Sequence, residues 1–513
     1  MRKLLIGAAV ALPAACLPAA FLSVPVLSGV PTSAGTSVEA RPDLAALVRA
    51  KDVEAHLRAF QEIADYNGGN RASGGAGYDV SVKYVVGRLR KAGFTPRIQR
   101  FTHPYWRERS DAVLARTEPS KATYQEGRDF RTFAYSGSGD VTARVTAVDL
   151  PSKGDGTSGC EKRDFADFPK GSIALLQRGS CTFEAKAAKA KDAGASAVVI
   201  YNGPGERGPV NGTLSAPSTL PVVGPSHKVG AALAKAADKG GLHLRVRTDT
   251  VHGKRRTANV IADTEQGRGD NVVLVGAHLD SVPAGPGIND NGTGAAALLA
   301  IAAKIRELGE DGLRNRVRFA WWGAEEEGLR GSTHYVKSLS PSDRKSIALA
   351  LNFDMLGSVN GTRGVYDGDH SVRAGVRAPA GSGAIEKMFR DYFERRHLPT
   401  TEHVFDGRSD YGQFVEAGIP AGGMATGAEG VKTAEEAKAF GGSAGKPYDP
   451  CYHKKCDRLK NVNLKLLDSN VDGIAHVTQH LARTTVAVNG GARLRVGDGP
   501  SDAPVRRGSR QVR

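Results

Sequence analysis

From residue 257 onward the sequence alternates short, almost uninterrupted apolar runs with longer stretches of helical periodicity, and this alternation limits the possible folds more than any other feature. The runs at 271–277, 316–322 and 347–353 are too apolar for strands with one wet face. The stretches 293–308, 329–339 and 464–482 carry helical spacing, and in the last Leu466, Ile474, Val477 and Leu481 share a face. Strands buried on both sides and separated by helices predict an α/β fold: a mainly parallel mixed sheet covered by helices on both faces. Open sheets of this kind hold their ligands beyond the carboxyl ends of the strands.

The first half reads differently. Helices are predicted over 53–66 and 78–92, the second with Tyr78, Val82, Val85 and Leu89 on one face and Gly93 as its stop, followed by a strand over 96–101. Between 103 and 256, Gly, Pro, Ser and Thr separate short β-like runs at 141–148, 173–177, 197–201 and 242–251, with one helix over 183–193. At 513 residues the chain exceeds one ordinary domain. The expected division is a signal and possible pro-segment over 1–40, a first part of the main domain over 41–103, an inserted β-rich module over 104–256, the second part with the ligands over 257–485, and a basic, disordered tail over 486–513. Met1, Arg2 and Lys3 before an apolar stretch to Leu27 predict a secreted, extracellular protein. No other segment approaches the ~18–20 apolar residues of a membrane span.

The net charge of +16 is spread along the chain, with local excesses at Lys254, Arg255 and Arg256 and in the tail. No basic run is interleaved with aromatics, which argues against nucleic acid as a partner. Past the signal the cysteines are Cys160, Cys181, Cys451 and Cys456. Their spacing offers no Cys-x-x-Cys pair for zinc, so disulfides between neighbours, Cys160 with Cys181 and Cys451 with Cys456, are predicted for an oxidising compartment.

Five potential metal ligands stand at strand ends or in loops: His278 in GAHLDS, Asp290 in GINDNG, Glu326 in WWGAEEEG, Asp354 in LNFDMLG and His453 in PCYHKKC. Imidazole and carboxylate together suit zinc, and two ions about 3.5–4 Å apart need a carboxylate between them, for which Asp290 is the candidate. Glu325, beside a proposed ligand, is placed to act as general base. Asp280, two residues after His278, is expected to accept its other imidazole N–H. The glycines at 285, 287, 292 and 294 are read as a tight turn presenting Asp290 at a helix start. Consecutive carboxylates delivered by a buried strand need a cation, because unpaired buried charge costs several kcal/mol. Tyr452 is positioned to donate to a substrate oxyanion. His252, His334, His370, His403 and His476 are read as structural.

GAHLDS, GINDNGTG, FAWWGAEEEGLRGS, LNFDMLGS, GRSDYGQF and PCYHKKCD, with NGGNRASGGAGY nearer the N-terminus, closely resemble the secreted bacterial dizinc aminopeptidases of the Streptomyces leucine-aminopeptidase type. The segment GSIALLQRGSCTFEAKAAKAKDAGASAVVIYN resembles a protease-associated (PA) domain. The resemblance implies two zinc ions, one on His453 and Glu326, the other on His278 and Asp354, with Asp290 shared. It implies Glu325 as general base and Tyr452 as carbonyl stabiliser. Glu325, Asp354, the Arg408 region and Tyr452 would bind substrate, the first three receiving the free α-amino group of a peptide whose N-terminal residue is apolar and Leu-like. The family also binds calcium through residues matching Asp468 and Asp472, although the N-terminal segment completing that site differs here. A monomer acting on peptides is expected, with the PA-like insert bordering the cleft or serving as a spacer. A carboxypeptidase or dipeptidase on this scaffold would need a cationic pocket, and a non-catalytic binding protein would have broken the ligand set.

Overall fold

The computed structural model describes residues 42–490 apart from 152–155, 205, 207 and 215; the leader over 1–40 and the tail beyond residue 490 lie outside the described residues. At the centre of the sheet, Arg268–His278 pairs in parallel with Asn315–Trp322 on one side and Ile347–Asp354 on the other. Ala421–Ala425 continues the parallel set beside Ile347–Asp354. Antiparallel neighbours flank it: His243–Asp263 beside Asn315–Trp322, and Gly364–Tyr366 beside Ala421–Ala425, with Thr401–His403 at the edge. The sheet is mixed at its margins and parallel where the candidate ligands stand.

The strands are buried on both sides, as their composition predicts. Val273, Val275, Phe319, Trp321, Leu349 and Leu351 pack with helices Ala50–Tyr66, Ala76–Lys91, Thr293–Ile305, Ser382–Glu394 and Leu464–Arg483. Their alternates Leu274, Ala320, Trp322 and Ala350 pack on the opposite face with Tyr335, Val336 and Phe414. Each fully buried large side chain contributes about 1.5–3 kcal/mol by leaving water. Helix Thr293–Ile305 is buried at every position except Ala303 and Lys304. Its alanines let it lie close to the sheet, and the indole of Trp321 donates to the Ala295 carbonyl at 3.0 Å. That helix begins three residues after Asp290, so the core itself fixes where the carboxylate stands.

The inserted module hangs on a two-stranded ribbon. Arg97–Glu118 and His243–Asp263 pair antiparallel from Arg97 opposite Ile261 to Glu118 opposite His243, with bulges near Glu108 to Val113 and at Glu118. The sequence shows only the ends of these strands, because residues 104–110 are half-buried or exposed without alternation. Within the module Ile173–Gln177 and Ala197–Tyr201 are entirely buried, between helices Phe183–Asp192 and His227–Asp238. Both disulfides form as paired above, Cys160–Cys181 and Cys451–Cys456. Ordered structure also continues past residue 485 into helix Val486–Asn489, which Asn489 ties to the Ala348 carbonyl at 2.9 Å.

Candidate metal centre

Three strand ends and two loops bring the five candidates to one point. His278 and Asp354 are the last residues of two neighbouring parallel strands, and Asn315–Trp322, paired with the first of them, is followed after Gly323 and Ala324 by Glu325 and Glu326. Ala324, just before the two glutamates, Met355, just after Asp354, and His453 itself hold left-handed φ angles of 57°, 55° and 56°. Left-handed backbone is strained for such residues and is retained where surrounding structure fixes a functional geometry. Here it turns each side chain toward the shared point.

Asp290 lies between the histidines. Its Oδ1 is 3.3 Å from His278 Nε2, and its Oδ2 is 3.2 Å from His453 Nε2. Asp354 Oδ1 lies 3.3 Å from His278 Nε2, and Glu326 Oε2 lies 3.0 Å from His453 Nε2. Two half-sites result, one of His278 and Asp354 and one of His453 and Glu326, each facing a different oxygen of Asp290. Glu325 groups with His278 and Asp354, and a ligand atom from each lies within 4.8 Å of the others.

Burial alone would push both imidazoles down; for His278 the carboxylates of Asp354 and Glu325, and for His453 those of Glu326 and Asp290, outweigh it, raising His278 well above the usual range and His453 to about 10. Burial and the neighbouring acids Glu326, Asp410 and Asp354 hold Glu325 well above an ordinary carboxylate, and burial with Asp290 pushes Glu326 up to about 7. A cluster of carboxylates this buried must gather protons or cations. Glu326 Oε1 is buried with no hydrogen-bond partner, an acceptor left over for a cation. The nitrogen and oxygen donors fit zinc, with His278, Asp354, His453, Glu326 and Asp290 to hold it.

The supporting contacts were only partly legible in the sequence. His278 Nδ1 lies 3.1 Å from the Asp280 carbonyl and 3.7 Å from its carboxylate Oδ1. The backbone carbonyl is therefore the nearer partner of the imidazole, whereas the Asp280 carboxylate accepts from the N–H groups of Glu325 and Glu326 at 3.2 and 3.4 Å. Asp280 orients the glutamates as well as the histidine, because it must satisfy the backbone of the turn it faces. Sequence reasoning missed Asp457, whose carboxylate accepts from the N–H groups of Asn289 and Asp290 at 2.8 and 3.0 Å. It also missed the function of Arg71, fully buried inside NGGNRASGG, whose guanidinium donates to the carbonyls of Leu279, Pro286 and Gly287 and clamps the loop between His278 and Asp290. A buried arginine among glycines is the signal that could have found it. Ser409 donates to Asp354 Oδ2 at 2.6 Å.

A cavity of about 260 Å³ opens on the cluster and is lined on its far side by Met355, Tyr366, Tyr411 and Ala425. His403, read as structural from the sequence, lines it too and packs edge-on against Tyr366. Tyr452 and Arg408 stand at the mouth: Arg408 donates to Glu429 at 2.8 Å and to the Tyr452 hydroxyl at 3.1 Å. Tyr452 stacks on His453 at 3.8 Å between ring centres, inside the loop closed by Cys451–Cys456. Asp468 and Asp472, one turn apart on Leu464–Arg483, join no three-donor cluster among the described residues; burial and Asp468 push Asp472 up to about 6.

Residues 259–478 match the model of peptidase family M28, and residues 141–233 match that of the PA domain. The chain is 45% identical to an aminopeptidase of Pseudomonas aeruginosa over 86% of its own length and 82% of that protein's. It is 37% identical to leucine aminopeptidase 2 of Trichophyton tonsurans over 86% of both chains. Its fold is similar to that of an aminopeptidase from Aneurinibacillus sp. strain AM-1, with a TM-score of 0.66 at 24% identity, covering 91% of this chain and 99% of the other.

Proposed function

Because this chain belongs to peptidase family M28 and carries a PA domain, we propose that it is a secreted aminopeptidase that removes apolar, Leu-like N-terminal residues from peptides with two zinc ions. The observation that carries this reading is Asp290, whose two oxygens each face a different histidine. Zinc, when bound, lowers the pKa of water and polarises a carbonyl.

Glu325 takes the proton of the attacking water and returns it to the leaving amine. Tyr452 donates to the oxygen that becomes negative at the scissile carbonyl, and Arg408 holds its hydroxyl in place. The α-ammonium is accepted by Glu325 and Asp354. Arg408 is a cation and would repel an ammonium, so it serves the substrate through Tyr452 rather than as an amine receptor. The apolar wall of Met355, Tyr366 and Ala425 suits a Leu-like side chain. A carboxypeptidase reading gains nothing from the pocket, since its arginine is already paired with Glu429. Secretion is supported by the leader and the two disulfides. We propose a monomer with the insert over 104–256.

Leu-p-nitroanilide and an N-acetylated leucyl peptide test the reading. Turnover of the first and not the second is expected, and a preference for the blocked peptide overturns it.

A further inference from the structure

We propose that the cleft between the PA module and the metal centre binds the part of the peptide that follows the scissile bond, with Trp106 favouring an apolar or aromatic second residue. This rests on the aminopeptidase reading and extends it to the leaving side of the substrate.

Two cavities meet at the cluster. The first ends against Met355, Tyr366 and Ala425. The second, about 630 Å³, shares Glu325, Glu326, Arg408, Tyr452 and His453 with the first and then runs to Tyr105, Trp106, Asn211 and Thr213 of the module. A bond cleaved at the cluster has one side chain before it and the rest of the peptide after it. Of the two carboxylates that accept the α-ammonium, Glu325 lines both cavities and Asp354 lines the first alone, so the N-terminal side chain fills that one. The remaining chain is directed into the second, whose volume falls in the range of ligand-binding clefts.

The module's wall is held in place relative to the cluster. Glu327, the residue after the proposed ligand Glu326, pairs with Arg255 at 3.1 Å, and His103, the cross-strand partner of Arg255 in the ribbon, bonds the Pro104 carbonyl through Nδ1 at 2.7 Å. Arg330 donates to the Tyr135 hydroxyl at 3.1 Å from the peptidase side. Arg255 also lies over the Tyr105 ring at 3.3 Å. The indole N–H of Trp106 is satisfied by the Ser136 carbonyl at 3.2 Å, leaving an apolar ring at the cleft, and such rings recognise apolar side chains.

The test compares Leu-Phe-Ala with leucinamide, whose leaving group is ammonia and reaches no second cavity. Trp106→Ala should lower the ratio of kcat/KM for Leu-Phe-Ala to that for leucinamide about tenfold, the effect of losing an aromatic anchor. Asn211→Trp, at an exposed position of the module, should lower the same ratio by filling the cleft, and guards against a Trp106 variant that fails to fold. If the parent protein cleaves both substrates and both folded variants keep the ratio within about twofold, the proposal is overturned. If the parent protein cleaves neither, the aminopeptidase reading fails, and this proposal with it.

Discussion

At the scale of single residues, the side chains that hold others count for as much as those proposed to meet metal. Asp457 and Arg71 never enter the cluster, yet one holds the backbone of Asp290 and the other the loop before it. Asp457→Asn should therefore cost about 10–100-fold in zinc affinity, measured by competition with a chromogenic chelator, with the fold retained in circular dichroism. Glu325→Gln should lower kcat by about 10²–10⁴ while the protein still binds two zinc ions by elemental analysis. A pH effect arises far from the site. Burial, helped by Arg88, depresses the His56 imidazole to about 4, where its Nδ1 lies 2.7 Å from the Tyr84 hydroxyl. The unfolded chain takes up this proton near pH 6.5 and the folded one does not until about pH 4, so His56 destabilises the fold progressively as pH falls through that window. Denaturant unfolding at pH 7.5 and 4.5 should show wild type losing up to about 3 kcal/mol more than His56→Gln. The ligands were legible because each closes a compact motif. Asp457 and Arg71 were not, because a carboxylate or guanidinium that binds backbone leaves no periodicity to read.

At the scale of elements, the two disulfides have different consequences despite similar chemistry. Cys160–Cys181 closes a loop of 21 residues in the PA module, and Cys451–Cys456 one of 5 beside His453. Loop entropy assigns about 3 kcal/mol to the first and about 2 kcal/mol to the second. Cys451→Ser with Cys456→Ser should therefore reduce activity and zinc retention more than stability, whereas Cys160→Ser with Cys181→Ser should lower the melting temperature and spare leucinamide turnover. The turn into helix Thr293–Ile305 is equally position-specific: a Cβ on Gly294 would sit 2.5 Å from the Phe353 carbonyl, and one on Gly287, at φ 63°, 2.4 Å from the Asp290 carbonyl. The glycines the sequence assigned to a tight turn are fixed there by backbone on both sides. Fully buried strands such as Ile173–Gln177 and Ala197–Tyr201 were read to the residue, since every position is apolar or nearly so. Strand Ala421–Ala425 and helix His227–Asp238 were not, because glycine and small residues fill them, and helix Ser382–Glu394 was passed over although Ile385, Phe389, Tyr392 and Phe393 recur at helical spacing.

For the whole molecule, metal and stability are linked. Chelation leaves the clustered carboxylates of Asp290, Glu325, Glu326 and Asp354 without a metal counter-charge, so the melting temperature should fall on dialysis against a chelator and recover with zinc; saturation at 1,000 times Kd corresponds to about 4 kcal/mol. An unchanged melting temperature would contradict a site built for cations. Fold class was legible because alternating apolar strands and helices admit few architectures, whereas the way the module attaches was not, since cross-strand pairing leaves no mark on two segments more than a hundred residues apart. That attachment has an evolutionary corollary. The chain leaves the catalytic body at Thr102 and returns at Arg256 as neighbours in one ladder, so the two cut ends already lie side by side. Deleting everything between them asks only for a hairpin turn, and inserting a different passenger asks for no rearrangement beneath it. A lineage could acquire, exchange or discard its accessory domain at this seam while the hydrolytic body went on folding as before.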